Sequence, residues 1–184
     1  MRVWPVILGF VVAVVTVAAT GCDPGLPVPG KTTRSEVPVT LTQATYAEFD
    51  RAVRDKKGLV VLVDFWASWC PPCKASFPHV VELHDRYADF GLECISVSLD
   101  GQSQGSAEEA MDFLKAKRAT FTNFIWTDRS QQDARAFSAR YHYQGGIPHQ
   151  VVFGRDGELV WNSSEEPRPP GEVDRLIRDE LEKK

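Results

Sequence analysis

Concentrated positive charge is missing from this sequence. Its 21 Lys and Arg residues are scattered among 25 Asp and Glu residues, which gives a formal net charge of −4. No basic run is long enough to neutralise a row of phosphates, so we expect no nucleic acid partner. The sequence also has no glycine-rich phosphate-binding loop and no internal repeat. Its apolar content of 43% is typical of a globular domain.

Cysteine and histidine are also scarce, with four residues of each. Cys70 and Cys73 form a single CxxC pair, and the chain has no second CxxC and no paired-histidine spacing. A structural zinc site normally needs four such ligands, so we predict no bound metal and no cofactor. One alternative stays open, because two cysteines and one histidine can hold copper. His149 would be the third ligand in such a copper-delivery module.

The first 21 residues have the pattern of a secretory signal. Arg2 precedes an almost entirely apolar stretch from residue 3 to residue 19, and small residues follow it. The stretch is slightly short for a membrane-spanning helix, although a retained anchor helix remains an alternative. The ATGC sequence that ends at Cys22 resembles the lipobox of bacterial lipoproteins, in which the signal is cut before a cysteine that is then lipidated. We therefore predict a lipoprotein-type signal peptide at 1–21 and lipidation of Cys22; an ordinary signal peptide cut beside a cysteine is the alternative.

Residues 22–38 are rich in proline and glycine, which disfavours regular structure. We predict an extended tether here, followed by one domain over 39–184. A lipid on Cys22 would hold that domain at the membrane without a spanning helix. The predicted location is therefore extracytoplasmic, on the periplasm-facing side of the cell membrane.

Strand and helix patterns alternate along the predicted domain. Apolar or β-rich runs predict strands at 39–41, 59–66, 92–99, 121–126, 150–154 and 158–161. Capping residues and apolar periodicity predict helices at 46–55, 73–89, 106–118, 130–141 and 172–182. Asp156-Gly157, between the last two strands, indicates a hairpin. The chain is thus predicted to be an α/β protein with a mixed sheet flanked by helices.

The CxxC pair comes directly after a predicted buried strand and at the start of a helix. The first amides of a helix have no partners within it and carry the positive end of its dipole, so they stabilise a thiolate on Cys70. Cys73, one turn further along, is expected to be more buried. The roles follow: Cys70 attacks a disulfide of a partner, and Cys73 resolves the mixed disulfide. Pro71 and Pro72 remove two backbone donors beside the sulfurs and stiffen the turn.

The segment VLVDFWASWCPPCK, from Val61 to Lys74, resembles the active-site segment of thioredoxins. Ile147-Pro148 downstream matches the thioredoxin cis-proline position, so the resemblance covers about residue 39 to the C-terminus. The predicted helix at 106–118 is similar to the insertion of TlpA/ResA-type proteins. The resemblance implies a thioredoxin-like mixed sheet and the activity of a membrane-anchored extracytoplasmic thiol-disulfide oxidoreductase with a redox-active CxxC disulfide.

The resemblance also implies roles for single residues. Asp64 matches the buried thioredoxin aspartate, which assists proton transfer at the resolving cysteine. A carboxyl group in a dry site would have a raised pKa and could act as a base. The alternative for Asp64 is a surface or hydrogen-bonded carboxylate at a strand end.

A second group of residues is expected to bind substrate. Pro148 matches the cis-proline that faces the cysteines, and it would let Ile147 pair its backbone with a bound peptide. Trp69 would flank the reactive cysteine and limit solvent access, and Pro71 and Pro72 would form the rim of the same site.

One position departs from the family pattern. Members that serve cytochrome c maturation often carry a glutamate shortly after CxxC, whereas Ser76 occupies that place here. This difference favours general reduction of disulfides in exported client proteins, with electrons from a membrane thiol donor. A peroxide-reducing enzyme is disfavoured, because no separate cysteine stands in a Pro-Thr-Cys setting. Cys94 remains and is expected to be a buried, inert thiol.

Overall fold

Six strands and five α-helices alternate along the residues that this computed structural model describes, which are 37–100, 104–128 and 130–183. The strands are β1 Thr42–Thr45, β2 Val60–Trp66, β3 Leu92–Ser98, β4 Thr122–Asp128, β5 His149–Phe153 and β6 Leu159–Asn162. The helices are α1 Tyr46–Arg54, α2 Pro71–Tyr87, α3 Ala107–Lys117, α4 Gln131–Tyr141 and α5 Pro170–Glu182, with a short 3-10 helix at Ala88–Phe90 after α2. The predicted α/β class is confirmed.

The strands form one mixed sheet in the order β1-β4-β3-β2-β5-β6. The first four strands of this order are parallel, β5 is antiparallel to β2, and β6 is antiparallel to β5. Every residue of β2 is buried, as its central position and apolar sequence require. The predicted hairpin is present as β5 and β6, and Gly157 in its turn has a φ of +82°, which favours glycine.

Successive side chains of β2 point to opposite faces of the sheet. Phe65 packs against Phe137 of α4, with ring centroids 4.9 Å apart. Trp66 packs on the other face, with its ring 5.0 Å from that of Phe77 in α2. Because side chains alternate along a strand, Asp64 lies on the face of Trp66, which α2 covers. The fold therefore places the cysteine-bearing helix over the carboxyl group.

Helix starts follow the capping residues in the sequence. The hydroxyl of Thr45 accepts from the amide of Glu48, and the Glu48 carboxylate accepts from the amide of Thr45 at 2.8 Å, which completes the predicted capping box of α1. Ser106 caps α3 by accepting from the Glu109 amide at 3.1 Å, and Ser130 caps α4. Helix α3 lies between β3 and β4, where the TlpA/ResA-type insertion is expected.

Three elements, β1, α2 and α5, start two or more residues from their predicted positions; α5 begins at Pro170 instead of residue 172. The first strand is predicted at 39–41, but the ladder with β4 runs over Thr42–Thr45. The side-chain amide of Asn123 donates to the carbonyl of Thr40 at 3.1 Å, so the predicted stretch contacts β4 through a side chain of that strand rather than through the ladder. Helix α2 begins at Pro71, two residues early, because proline at the first helical position loses no helix hydrogen bond.

The predicted signal peptide at 1–21, the site of lipidation at Cys22 and nearly all of the tether at 22–38 lie outside the described residues. Within the described part of the chain, no helix combines the length and apolar character needed to cross a membrane.

Candidate active site

Cys70 and Cys73 form a disulfide where the chain leaves β2 and enters α2. Their Cα atoms are 5.3 Å apart. Cys70 is 5% exposed and Cys73 is completely buried, so the order of exposure is as predicted. Of the two sulfurs, the one that a partner can reach is therefore that of Cys70.

The first turn of α2 directs a single amide at the sulfur of Cys70. Cys70 is the N-cap residue, with extended backbone, and Pro71 and Pro72 occupy the first two helical positions. Prolines have no N–H, so the amide of Cys73 is the first donor of the helix, and it lies 3.2 Å from Sγ of Cys70. This amide and the positive end of the helix dipole stabilise a thiolate on Cys70 after reduction.

Asp64 lies in the middle of the central strand and is 1% exposed. Its Oδ1 accepts a hydrogen bond from Nε2 of Gln150 at 2.8 Å, whereas its Oδ2 is buried with no hydrogen-bond partner. Burial raises the pKa of Asp64 to about 7, and the hydrogen bond from Gln150 acts in the opposite direction. A carboxyl group of this kind changes its charge near neutral pH, as a general base in this site would require.

The loop before β5 approaches the disulfide. The Ile147–Pro148 peptide bond is cis, as the resemblance to thioredoxins implies. The carbonyl oxygen of Ile147 is 3.7 Å from Sγ of Cys70. The structure thus brings together two residues that are 77 positions apart in the sequence.

A buried carboxylate holds the turn that carries Trp69. Asp100, at the end of β3, accepts hydrogen bonds from the amide and hydroxyl of Ser68, at 2.9 and 2.6 Å, and from the hydroxyl of Ser98 at 2.6 Å. Gly105, with a φ of +75°, packs so closely against Asp100 and Trp69 that a side chain there would collide with both. Trp69 itself is 42% exposed beside the cysteine pair, where the prediction places it.

A cavity of about 290 Å³ lies next to the site, on the side of the sheet that α2 covers. Ser76, His79, Pro148, Gln150 and Trp161 are among its lining residues. The hydroxyl of Ser76 also donates to the backbone carbonyl of Cys73 at 3.1 Å. Ser76, which stands where cytochrome c maturation members often carry a glutamate, is therefore hydrogen-bonded to the backbone of α2.

His149 does not complete a copper site with the cysteines. Its Nε2 is 2.8 Å from the carbonyl oxygen of Tyr141, to which it donates, and its Nδ1 is 2.9 Å from the hydroxyl of Ser164. The ring stacks on Phe65, which places it on the face of the sheet opposite to α2 and Cys73. Among residues 37–100, 104–128 and 130–183, no three His, Cys, Asp or Glu side chains are grouped as metal ligands would be.

Cys94 lies in β3 and is completely buried. Its sulfur is 3.9 Å from the carbonyl oxygen of Val80, the geometry of a weak S–H hydrogen bond. A thiol in such a place packs like a small apolar side chain, in agreement with the predicted inert role.

Two polar residues of the site, Gln150 and Asp100, are absent from the prediction. Both lie where strands neighbouring β2 approach the cysteine pair, and each contacts a residue of the active-site segment. A polar residue at the carboxyl end of a strand next to the active-site strand is a signal that could have indicated Asp100. Gln150 carries no such signal, because its importance depends on the register of β5 against β2.

The chain is similar in sequence to proteins named thiol-disulfide oxidoreductases. The chain is 32% identical over 106 residues to the thiol-disulfide oxidoreductase ResA of Bacillus subtilis (strain 168), which covers 58% of this chain and 53% of that protein. It is 31% identical over 123 residues to the sporulation thiol-disulfide oxidoreductase A of the same strain, which covers 67% of this chain and 69% of that protein. The chain thus spans about half the length of the ResA protein it matches.

Solved structures share the fold. A thiol:disulfide interchange protein of the thioredoxin family from Chlorobium tepidum TLS aligns with a TM-score of 0.58 at 22% identity, over 70% of this chain and 83% of that one. The thioredoxin domain of a thiol-disulfide oxidoreductase from Bacteroides vulgatus aligns with a TM-score of 0.53 at 22% identity, over 67% and 83% of the two chains. At this identity the similarity shows the fold, and the predicted thioredoxin-like architecture is confirmed.

The Redoxin family matches this chain over residues 35–177. That range contains the cysteine pair, Asp64 and the cis-proline loop. The family, the relatives and the shared fold together confirm the expected resemblance. The chain therefore belongs to the Redoxin family and is a TlpA/ResA-like member of the thioredoxin superfamily.

Proposed function

We propose that this protein is a thiol-disulfide oxidoreductase that works outside the cytoplasm, where it reduces disulfides in exported proteins. The observation that carries the proposal is the bonded pair of Cys70 and Cys73, with the more accessible sulfur at a helix N-terminus and Asp64 on the strand that this helix covers. The names of the relatives support the same class of reaction. Thiol-disulfide exchange requires only sulfur atoms and protons, so no cofactor is invoked.

The reaction begins with the reduced protein. The Cys70 thiolate, stabilised by the Cys73 amide and the helix dipole, attacks one sulfur of a client disulfide. A bond forms between Cys70 and that sulfur, the client S–S bond breaks, and the other client sulfur leaves as a thiolate. The product is a mixed disulfide between protein and client.

The second step releases the client. Cys73 is completely buried, so its thiol ionises poorly without a base. The Asp64 carboxylate takes the thiol proton, and the Cys73 thiolate attacks Sγ of Cys70. The intramolecular disulfide forms, the second client sulfur leaves as a thiolate, and two electrons have passed from the protein to the client.

The exposed residues around Cys70 form the proposed client site. Trp69 is 42% exposed, and Pro71 and Pro72 are exposed at the start of α2. The carbonyl oxygen of Ile147 lies 3.7 Å from the same sulfur, and Pro148 follows it in the cis-proline loop, where the backbone of Ile147 would pair with an extended peptide.

The sequence pattern supports the proposed location, and the proposed reaction requires a supply of electrons. A lipidated Cys22 after a signal at 1–21, with a tether at 22–38, would hold the domain at 39–184 on the outer side of the cell membrane. Each client reduction leaves the protein oxidised, so a membrane thiol donor has to regenerate the dithiol. Ser76 in place of glutamate supports general clients rather than apocytochromes alone.

Replacing the resolving cysteine should trap clients. In Cys73→Ser the first step remains possible and the second does not, so mixed disulfides through Cys70 accumulate. We expect non-reducing pull-down of the full-length variant from its own cells to recover exported proteins that reductant releases. Cys70→Ser is the matched control and should recover none. Recovery of nothing with Cys73→Ser, while Cys70 reacts with an alkylating reagent, would show that the two-cysteine mechanism is wrong.

Replacing the proposed base should slow the second step alone. An aromatic disulfide reagent can take the place of the client, and each step then releases one coloured thiolate. The rate of the first release, by attack of Cys70, depends on reagent concentration, whereas the rate of the second, by attack of Cys73 within the protein, does not. We expect the rate constant of the second release to rise with pH through about 7, the pKa of Asp64. In Asp64→Asn it should fall by about 100-fold at pH 7 and lose that rise, because general base catalysis typically contributes at least this much.

Asp112→Asn, an isosteric change at an exposed position of α3, is the control for this experiment and should leave both releases unchanged. If the second release keeps its pH dependence in Asp64→Asn, Asp64 is not the base.

The buried carboxyl group should also make stability depend on pH. The Asp64 pKa is about 7 in the folded protein and about 3.9 in an unfolded chain, so between these values the folded state holds a proton that the unfolded state releases. The free energy of unfolding therefore falls as pH rises through this range, by up to about 4 kcal/mol. Asp64→Asn removes this loss, so it should stabilise the oxidised protein at pH 8 and have little effect at pH 4. Denaturant titrations at the two pH values, with Asp112→Asn as reference, measure the difference; an equal effect at both would contradict the raised pKa.

A further inference from the structure

Gln150 is the cross-strand partner of Asp64. In the antiparallel ladder between β2 and β5 these two residues are directly opposite each other, so their side chains lie on the same face of the sheet. The backbone of Gln150 is fixed on its other edge, because its amide donates to the hydroxyl of Ser163 at 2.9 Å and its carbonyl accepts from the amide of Ser163 at 2.9 Å. The ladder with β2 on one side and the two hydrogen bonds with Ser163 on the other thus fix the position of the Gln150 backbone, from which its side chain extends.

The bond between these side chains makes the two carboxyl oxygens of Asp64 different. Oδ1 accepts the amide hydrogen of Gln150 at 2.8 Å, whereas Oδ2 is buried and has no hydrogen-bond partner. An oxygen that accepts an N–H bond is the less favourable place for the proton of a neutral carboxylic acid. The proton of neutral Asp64 therefore belongs on Oδ2, on the face of the sheet that α2 and Cys73 cover.

We infer that Gln150 is a positioning residue for the resolving step, because its amide holds Oδ1 of Asp64 and leaves Oδ2 as the oxygen that takes the proton of Cys73. This inference rests on the proposed thiol-disulfide exchange. In that step the S–H bond of Cys73 breaks, an O–H bond forms at Oδ2, and the freed thiolate attacks Sγ of Cys70. Gln150 exchanges no atom or electron; it fixes the orientation of the base and stabilises its charged form.

Polar groups face this pair from three elements and the adjoining cavity. Ser96 of β3 is the ladder partner of Asp64 on the parallel side, so its side chain lies on the same face of the sheet. Ser76 and His79 of α2, together with Ser163 and Arg168, line the cavity beside Gln150. Burial and the hydrogen bond from Gln150 are the causes of the shifted pKa of Asp64, so removal of the glutamine donor raises that pKa further. His79 needs its own control, because it is an ionisable side chain that lines the same cavity as Gln150.

Gln150→Met tests the inference, because methionine has nearly the shape of glutamine and donates no hydrogen bond. With the full-length chain and the two-step release assay, we expect the first release to be unchanged. The pH midpoint of the second release should move upward by about one pH unit, the size of a lost hydrogen bond to a charged group. In an Asp64→Asn background, where the pH-dependent rise is absent, the same change should leave the rate constant of the second release unchanged at every pH.

Two control variants and one backup variant separate this result from a structural effect. Gln43→Met makes the same change at an exposed position of β1, and His79→Gln removes the neighbouring titratable group; both should leave the midpoint in place. Gln150→Leu repeats the test if the methionine variant does not fold. An unchanged midpoint in the Gln150 variants, or a change in the second release that is as large in the Asp64→Asn background as in the wild-type protein, overturns the inference. Absence of either release in the wild-type protein would instead overturn the proposed function.

Discussion

A carboxyl group buried in the central strand is the constraint on which the site depends. All seven residues of β2 are buried, and Asp64 is the one among them with an ionisable side chain. Burial removes the water that would stabilise the ionised form of Asp64, which raises its pKa. The hydrogen bond from Gln150 stabilises the ionised form and offsets this effect only in part. The same burial that makes the aspartate unfavourable for stability gives it a charge that changes near neutral pH. In the proposed mechanism, the strand that leads to the thiol therefore also carries its base.

The position of β2 also explains how distant segments meet. The strand ends at the turn that carries Trp69 and the cysteines, and β3 beside it ends at Asp100, which holds that turn. On its other side β5 starts directly after Pro148, so the cis-proline loop reaches the same end of the sheet. Parallel pairing on one edge of β2 and antiparallel pairing on the other bring three separate parts of the chain to one disulfide.

Much of this arrangement could be predicted from local sequence. The CxxC pair, its place after an apolar strand and the capping residues are short-range features, and the helices and strands lie within a few residues of their predicted positions. Asp64 could be singled out because a carboxylate in VLVDFW is unusual in a buried strand. The resemblance to thioredoxins then supplied Pro148, which no local pattern would connect with Cys70.

The remaining features depend on pairing between strands, which the sequence does not display. Gln150 contacts Asp64 only because β5 aligns with β2 in one particular register. The first strand was misplaced because pairing with β4, rather than apolar content, determines where it begins. His149 is a plausible ligand in the sequence, but strand alternation turns its ring to the opposite face of the sheet, against Phe65.

The central claim is that Cys70 and Cys73 form a reducing couple, and the reduction potential of the full-length chain tests it most directly. The protein would be equilibrated in thiol-disulfide buffers of graded composition, and the fraction of reduced Cys70 would be measured by alkylation. We expect one reversible two-electron transition near the thioredoxin value of about −270 mV. A midpoint near about −120 mV would identify an oxidant that installs disulfides, and the absence of a reversible couple would contradict the oxidoreductase function itself.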